Sequence, residues 1–233
     1  MIQILSDYEL DRMREAGKLV AKILVELEKF VKPGISTKDL DDLAMKIIKE
    51  AGGSAPCLGY GRPPFPAAIC TSINDEVVHG IPNKKRKLKE GDIVSLDCGL
   101  IYKGYHSDAA RTYGVGRVSE EAQKLMDVTK QAFFEGIKMA KAGNYLYDIS
   151  NAIDDYVSSF GYGIVRDLVG HGIGTSLHED PQIPNFRQKK HGVRLEPGMT
   201  LAVEPMINAG GYEVCWLDDD WTVVTADGSW AAH

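Results

Sequence analysis

The 233-residue chain has few cysteines and no apolar run near the roughly 20 residues that a spanning helix requires. The four cysteines, Cys57, Cys70, Cys98 and Cys215, include no CxxC pair. Neither a disulfide framework nor a zinc knuckle is expected from them. Cationic excess is lacking too: the formal charge is -6, which gives no broad basic field for nucleic acid. The one basic run, KKRKLK at 84–89, sits between Pro82-Asn83 and Glu90-Gly91 and reads as a solvated connection. A docking patch for something anionic, such as ribosomal RNA, is the minority reading. The opening MIQILSDYELDRMREAG carries acids by its seventh residue and does not follow the charged-then-apolar order of a signal peptide. The expectation is a reduced, cytoplasmic, monomeric protein with neither a membrane nor DNA as partner.

What is present is a doubled pattern. After Ser6, a plausible N-cap, apolar residues recur at three- and four-residue steps until Pro33-Gly34, which predicts a long amphipathic helix. STKDLDDLAMKIIKEAGG predicts a second, and AAICTSI and DIVSLDCGL read as strands. From Ser119 the order repeats, with a helix closing near Gly143 and another over LYDISNAIDDYVSSFGYG. Residues 88–97 align without a gap on 195–204, so that Asp97 falls on Glu204, and His79-Gly80-Ile81 echoes His171-Gly172-Ile173. An α+β domain spanning 1–233 with an internal duplication, halves about 1–115 and 116–233, is expected to share one central site.

The stretch DCGLIYKGYHSD holds an acid at each end of an otherwise apolar strand pattern. If Lys103-Gly104 is a two-residue turn, Tyr102 faces Tyr105, Asp108 faces Gly99, and Asp97 and Asp108 become diagonal neighbours on one face. Two such acids repel unless cations sit between them, and Gly99 leaves room for ions. Glu204 supplies a third acid, and His171 an imidazole in the small-residue setting VGHGIG. Oxygen-rich donors with one imidazole suit a divalent ion such as Mn, Fe, Co or Zn, and shared carboxylates suit two of them.

TSINDEVVHGIP, SLDCG, YHSDAART, GHGIG, TSLHEDPQIPN and AVEPM, in this order, resemble type I methionine aminopeptidases over essentially the whole chain. The resemblance implies the pita-bread fold, two pseudo-symmetric halves around a curved antiparallel sheet. It implies that Asp97, Asp108, His171 and Glu204 bind two divalent metal ions (Co, Mn, Fe or Zn). A metal-bridging water would then attack the first peptide bond of a chain beginning with methionine. His79 would contact substrate, His178 would stabilise the tetrahedral intermediate, and Glu204 would shuttle protons. Tyr60, Phe65, Cys70 and Trp221 are the candidates for the methionine pocket. No extra N-terminal domain, no insertion between His178 and Glu204 and no cysteine-rich extension is evident, which favours the short bacterial form over prolidases, type II and eukaryotic type I enzymes.

One departure concerns the end of the chain. The family's fifth ligand is a glutamate in FEHT or YEHT, a motif that would begin where ADGSWAAH stops; WTVVTADGSWAAH reads as strand, turn and the start of the return strand, with His233 two residues short of the expected ligand and on the same face by strand alternation, and the duplication independently demands an acid there. Three readings stay open: the natural protein continues through that glutamate, this form is a weakened or inactive enzyme, or the terminal carboxylate of His233 takes part in metal binding. A non-catalytic pita-bread binding module is the alternative function.

Overall fold

The computed structural model describes residues 2–233. Ser6 opens helix α1 (Asp7–Glu28): its backbone N–H donates to the Glu9 carboxylate at 2.8 Å. Ser36 opens α2 (Thr37–Glu50) reciprocally, its hydroxyl accepting from the Asp39 N–H at 3.1 Å while its own N–H donates to Asp39 at 2.9 Å. These bonds satisfy amide groups that a helix start leaves without partners. The apolar stripes of both helices pack on β1 (Ile69–Ile73) and β3 (Ile93–Tyr102), burying Val20, Ile23, Leu24, Leu40, Ile69 and Leu96 in one core.

The chain then doubles back through β2 (Glu76–Val78), β3 and β4 (Tyr105–Gly114). The β3–β4 register is the one the sequence predicts: Tyr102 faces Tyr105 and Gly99 faces Asp108. Lys103 and Gly104 both have positive φ, 50° and 84°, as a two-residue turn matching strand twist requires. The space over Gly99 is a different matter. A Cβ there would meet Pro56 Cγ at 2.5 Å and Cys57 Sγ at 3.6 Å. The missing side chain therefore admits the 56–57 loop, and the expectation that Gly99 leaves room for ions is corrected.

Helices α3 (Glu120–Met139) and α4 (Leu146–Ser158) open the second half, with Ser119 capping α3 by accepting from the Ala122 N–H at 3.1 Å. They approach closely at Gly136, where a Cβ would meet Ile153 Cγ1 at 2.8 Å. Their core holds Leu125, Ala132, Ile149, Ile153 and Ile207. Eight short strands follow: β5 (Gly163–Ile164), β6 (Gly170–Gly172), β7 (Glu179–Ile183), β8 (Leu201–Ala202), β9 (Ile207–Asn208), β10 (Val214–Trp216), β11 (Val223–Thr225) and β12 (Ala231–Ala232). The described strands form four three-stranded antiparallel sheets, ordered β1-β3-β4, β10-β11-β2, β12-β9-β5 and β7-β6-β8.

Two expectations are revised. Residues 195–204 copy 88–97 only in part: Ile93–Asp97 lie in β3, whereas in the second segment only Leu201–Ala202 is strand, and Glu204 lies beyond it with its carbonyl accepting from the Asn185 side chain at 2.7 Å. Pro205 follows at once and cannot donate to a ladder. The last segment does turn after β11, but β12 pairs with β9 rather than returning along β11. Asp227 shapes this turn by accepting from the Gly211 and Ser229 amides at 2.8 and 2.9 Å.

Candidate active site

Each metal-ligand candidate is delivered by a different backbone device. Asp97 and Asp108 come from the two strands of one hairpin, and because Gly99 faces Asp108 the two acids are diagonal neighbours. The His106 amide donates to the Gly174 carbonyl at 2.7 Å, tying the hairpin to the loop after β6. That tie brings His171 over the acids. His171 sits opposite Ala202 across β6–β8, and Gly170 allows the strands to pack because a Cβ there would strike the Ala202 carbonyl. Glu204 follows β8 directly and so reaches the same point.

The resulting cluster is tight. His171 Nε2 lies 3.1 Å from Glu204 Oε1 and 4.0 Å from Asp108 Oδ2. His171 Nδ1 is 2.8 Å from the Gly172 carbonyl oxygen. An imidazole that gives its Nδ1–H to a backbone carbonyl keeps the Nε2 lone pair for a cation, the usual arrangement behind a histidine ligand. Asp108 Oδ1 is buried without a hydrogen-bond partner, so the site has acceptor capacity that the protein itself leaves unmet.

Burial raises the Asp97 carboxyl well above the usual range, and the neighbouring Asp108 charge adds to this. Asp108 is raised by burial and by the charge of Glu204. For Glu204 burial acts upward but is outweighed by the facing imidazoles of His171 and His233, bringing it down to about 2. Burial likewise works to lower His171 and is outweighed by the Glu204 hydrogen bond and charge, so that its pKa rises. Three acids crowded in this way are matched by divalent cations, and oxygen-rich donors with one imidazole fit that class of ion. Among the described residues no three or more such side chains already converge as a ready cage. His171 is instead turned on Glu204.

His79 ends β2 in the left-handed region, φ 60°, a conformation uncommon outside glycine and typical of residues held for function. Burial, then the His233 charge, lowers its pKa to about 4. His178 packs edge-on against the His171 ring at 4.3 Å between centroids, and burial followed by the His171 charge lowers its pKa as well. Both histidines are therefore neutral at pH 7.

Three of the four pocket candidates assemble. Phe65 and Cys70 are buried with Ala67, and Cys57, Ile81 and Trp221 pack against them. Phe65 and Trp221 meet edge-to-face at 5.2 Å, and the Trp221 indole N–H donates to the Pro63 carbonyl at 3.1 Å. His79 closes one side, 6.0 Å from Trp221 between ring centroids. Tyr60 stands apart from this apolar cluster; it is 42% exposed and its hydroxyl meets His178 Nδ1 at 2.6 Å.

Two residues escaped the sequence reading. Cys57 enters the pocket through the space above Gly99, and nothing in its sequence setting singles it out. The His233 imidazole, 3% exposed, points into the acid cluster with Nε2 3.6 Å from Glu204 Oε2. Strand alternation places position 233 on this face, and the group that meets Glu204 there is the imidazole.

Residues 11–225 match metallopeptidase family M24. A methionine aminopeptidase of Clostridium acetobutylicum is 56% identical over 233 residues, covering 100% of this chain and 92% of its own. Methionine aminopeptidase 1 of Bacillus subtilis is 50% identical over 97% of this chain and 90% of its own. The crystal structure of methionine aminopeptidase from Thermotoga maritima superposes with a TM-score of 0.96 at 45% identity, covering 100% of this chain and 92% of that one. The fold is accordingly the pita-bread fold. The chain belongs to metallopeptidase family M24 and, within it, to the methionine aminopeptidases.

Proposed function

We propose that this protein uses divalent metal ions to remove the N-terminal methionine from peptides and nascent proteins. The observation that carries the reading is the convergence of Asp97, Asp108, His171 and Glu204 beside two neutral histidines and an apolar pocket. Those four residues would hold the metal ions, which when bound supply Lewis-acid polarisation of the peptide carbonyl and a water acidified enough to attack near neutral pH.

The protein's own groups divide the remaining work. Glu204, ionised at neutral pH, can take a proton from the attacking water and return it to the departing amine. His178, neutral and solvent-exposed, can offer an N–H to the carbonyl oxygen as negative charge develops there. His79, with its side chain between Trp221 and the acids, can donate to the substrate backbone. Phe65, Trp221, Cys57 and Cys70 form a polarizable apolar wall suited to a thioether, since sulfur packs favourably against aromatic rings.

The finer organisation is also proposed: a single duplicated catalytic unit over 1–233, acting as a cytoplasmic monomer on chains leaving the ribosome. In its support, each half begins with two capped or amphipathic helices before its strands. Lys84, Lys85, Lys87 and Lys89 are exposed on the loop before β3, and no described helix is long and apolar enough to cross a membrane. The test is release of free methionine from Met-Ala-Ser by purified protein, with Mn(II) or Co(II) added and with chelator. Metal-dependent release, with Leu-Ala-Ser left uncut, is expected; no release, or equal cleavage of both peptides, refutes the reading.

A further inference from the structure

Tyr60 lies on the loop between α2 and β1, outside the apolar pocket cluster. Its hydroxyl is 2.6 Å from His178 Nδ1, and the two rings stand 5.2 Å apart with 56° between their planes. They share a hydrogen bond rather than a stacked face. A neutral imidazole carries one N–H, and the partner at one nitrogen decides what the other nitrogen bears. A phenol is the more acidic partner and the imidazole nitrogen the more basic, so the favourable bond has the tyrosine O–H donating to Nδ1. The proton on His178 is then confined to Nε2. On its other side the ring rests edge-on against His171, so it is held by two contacts at once.

We propose that Tyr60 is a positioning residue: it fixes His178 in the Nε2–H tautomer and aims that N–H at the scissile carbonyl oxygen, instead of lining the methionine pocket. The inference rests on His178 acting as the oxyanion donor, as read above. Without Tyr60 the ring can carry its proton on either nitrogen and can turn, so only a fraction of molecules presents the donor when charge develops. The ground-state fit of the methionine side chain is untouched, so the loss falls on kcat and not on KM.

The experiment compares wild type, Tyr60→Phe, His178→Ala and the double variant in the metal-loaded protein. It measures kcat and KM on Met-Ala-Ser together with 15N spectra of labelled histidine, the His178 signals being assigned by their absence in His178→Ala. The wild-type spectrum should show an acceptor-type Nδ1 and a protonated Nε2, and Tyr60→Phe should average the two. For Tyr60→Phe, kcat should fall on the order of tenfold, below the ~10²–10³ that loss of a whole oxyanion donor costs, with KM within about twofold. In the His178→Ala background the same change should do nothing further. A raised KM at unchanged kcat, a wild-type Nδ1–H signal, an unaltered tautomer in Tyr60→Phe, or a full additional loss in the double variant would each overturn the proposal. If wild type releases no methionine, the reading of the site fails first, and the 15N spectra still decide whether Tyr60 sets the tautomer.

Discussion

His233 Nε2 lies 3.6 Å from Glu204 Oε2, with both nitrogens of the imidazole buried and without a hydrogen-bond partner. Its backbone is pinned: the His233 N–H donates to Thr112 Oγ1 at 2.9 Å, and the His233 carbonyl accepts from the same hydroxyl at 2.8 Å. The two ends of the Glu204 carboxylate thus face different histidines, Oε1 toward His171 and Oε2 toward His233. A donor behind a metal-binding carboxylate orients it and raises its affinity for the ion. His233→Leu should weaken Mn(II) binding by about 10–100-fold, and His233→Gln, which restores an N–H donor, should recover most of it. Calorimetric titration of both variants checks this, and equal weakening in the two would sink the orienting role.

Asp108→Asn separates stability from function. The variant removes one of two acids whose pKa burial raises, Asp97 further through the charge of Asp108 and Asp108 through that of Glu204. In chelator the fold should be unharmed or slightly more stable, because a strained buried carboxylate has become a neutral amide of the same shape. Methionine release should fall by at least about 10³ and metal titration should show weakened uptake. A thermal melt in EDTA beside the kinetic assay reads both effects; retained turnover would remove Asp108 from the site.

The hairpin that carries these acids was legible because period-two alternation and a Lys-Gly turn leave one register, and the structure has it. Helix starts at Ser6, Ser36 and Ser119 were legible for a similar reason, since a cap is a local feature. What failed was inference about space and distant pairing. Gly99 looked like room for ions, yet whether a glycine leaves a void depends on what packs over it, here Pro56 and Cys57. The strand after β11 looked like its hairpin partner, yet β12 prefers β9, a choice made by tertiary contacts that local periodicity does not encode. Tyr60 falls among the pocket candidates through the loop CLGYGRPPFPAAIC, near which the resemblance places the pocket, but its hydroxyl turns it to His178.

His79 makes a pH prediction with a definite sign. Its folded pKa is about 4, depressed by burial first and then by the His233 charge, against an ordinary 6.5. The unfolded chain therefore binds more protons there between these values. The contribution of neutral His79 is full above pH 6.5 and is lost as pH falls toward 4. The stability difference between wild type and His79→Gln should be flat from pH 7 to 8 and shift against wild type by on the order of 2–3 kcal/mol between pH 6.5 and 4. Urea titrations in EDTA across that range measure it, and a pH-independent difference would mean that His79 is solvated like a surface histidine.

Gly136 tests the packing that carries the second half of the site. It is buried in α3 facing α4, and a methyl group there would press on Ile153 Cγ1 at 2.8 Å and Cδ1 at 2.9 Å, and on Ile149 Cγ2 at 3.3 Å. Two opposed effects meet at this position. Alanine improves the intrinsic helical preference of α3 by about 1 kcal/mol, while forcing a methyl into an occupied contact costs about 1–3 kcal/mol. Both isoleucines are fully buried, so neither can swing into solvent, and the helices must separate instead. The steric cost should win, leaving Gly136→Ala destabilised by about 1–2 kcal/mol by urea unfolding. Shortening the opposing side chain with Ile153→Val should recover part of that loss in the double variant while destabilising the wild-type background. Simple addition of the two single losses would mean that the helices shift freely and that Gly136 is not needed for their approach.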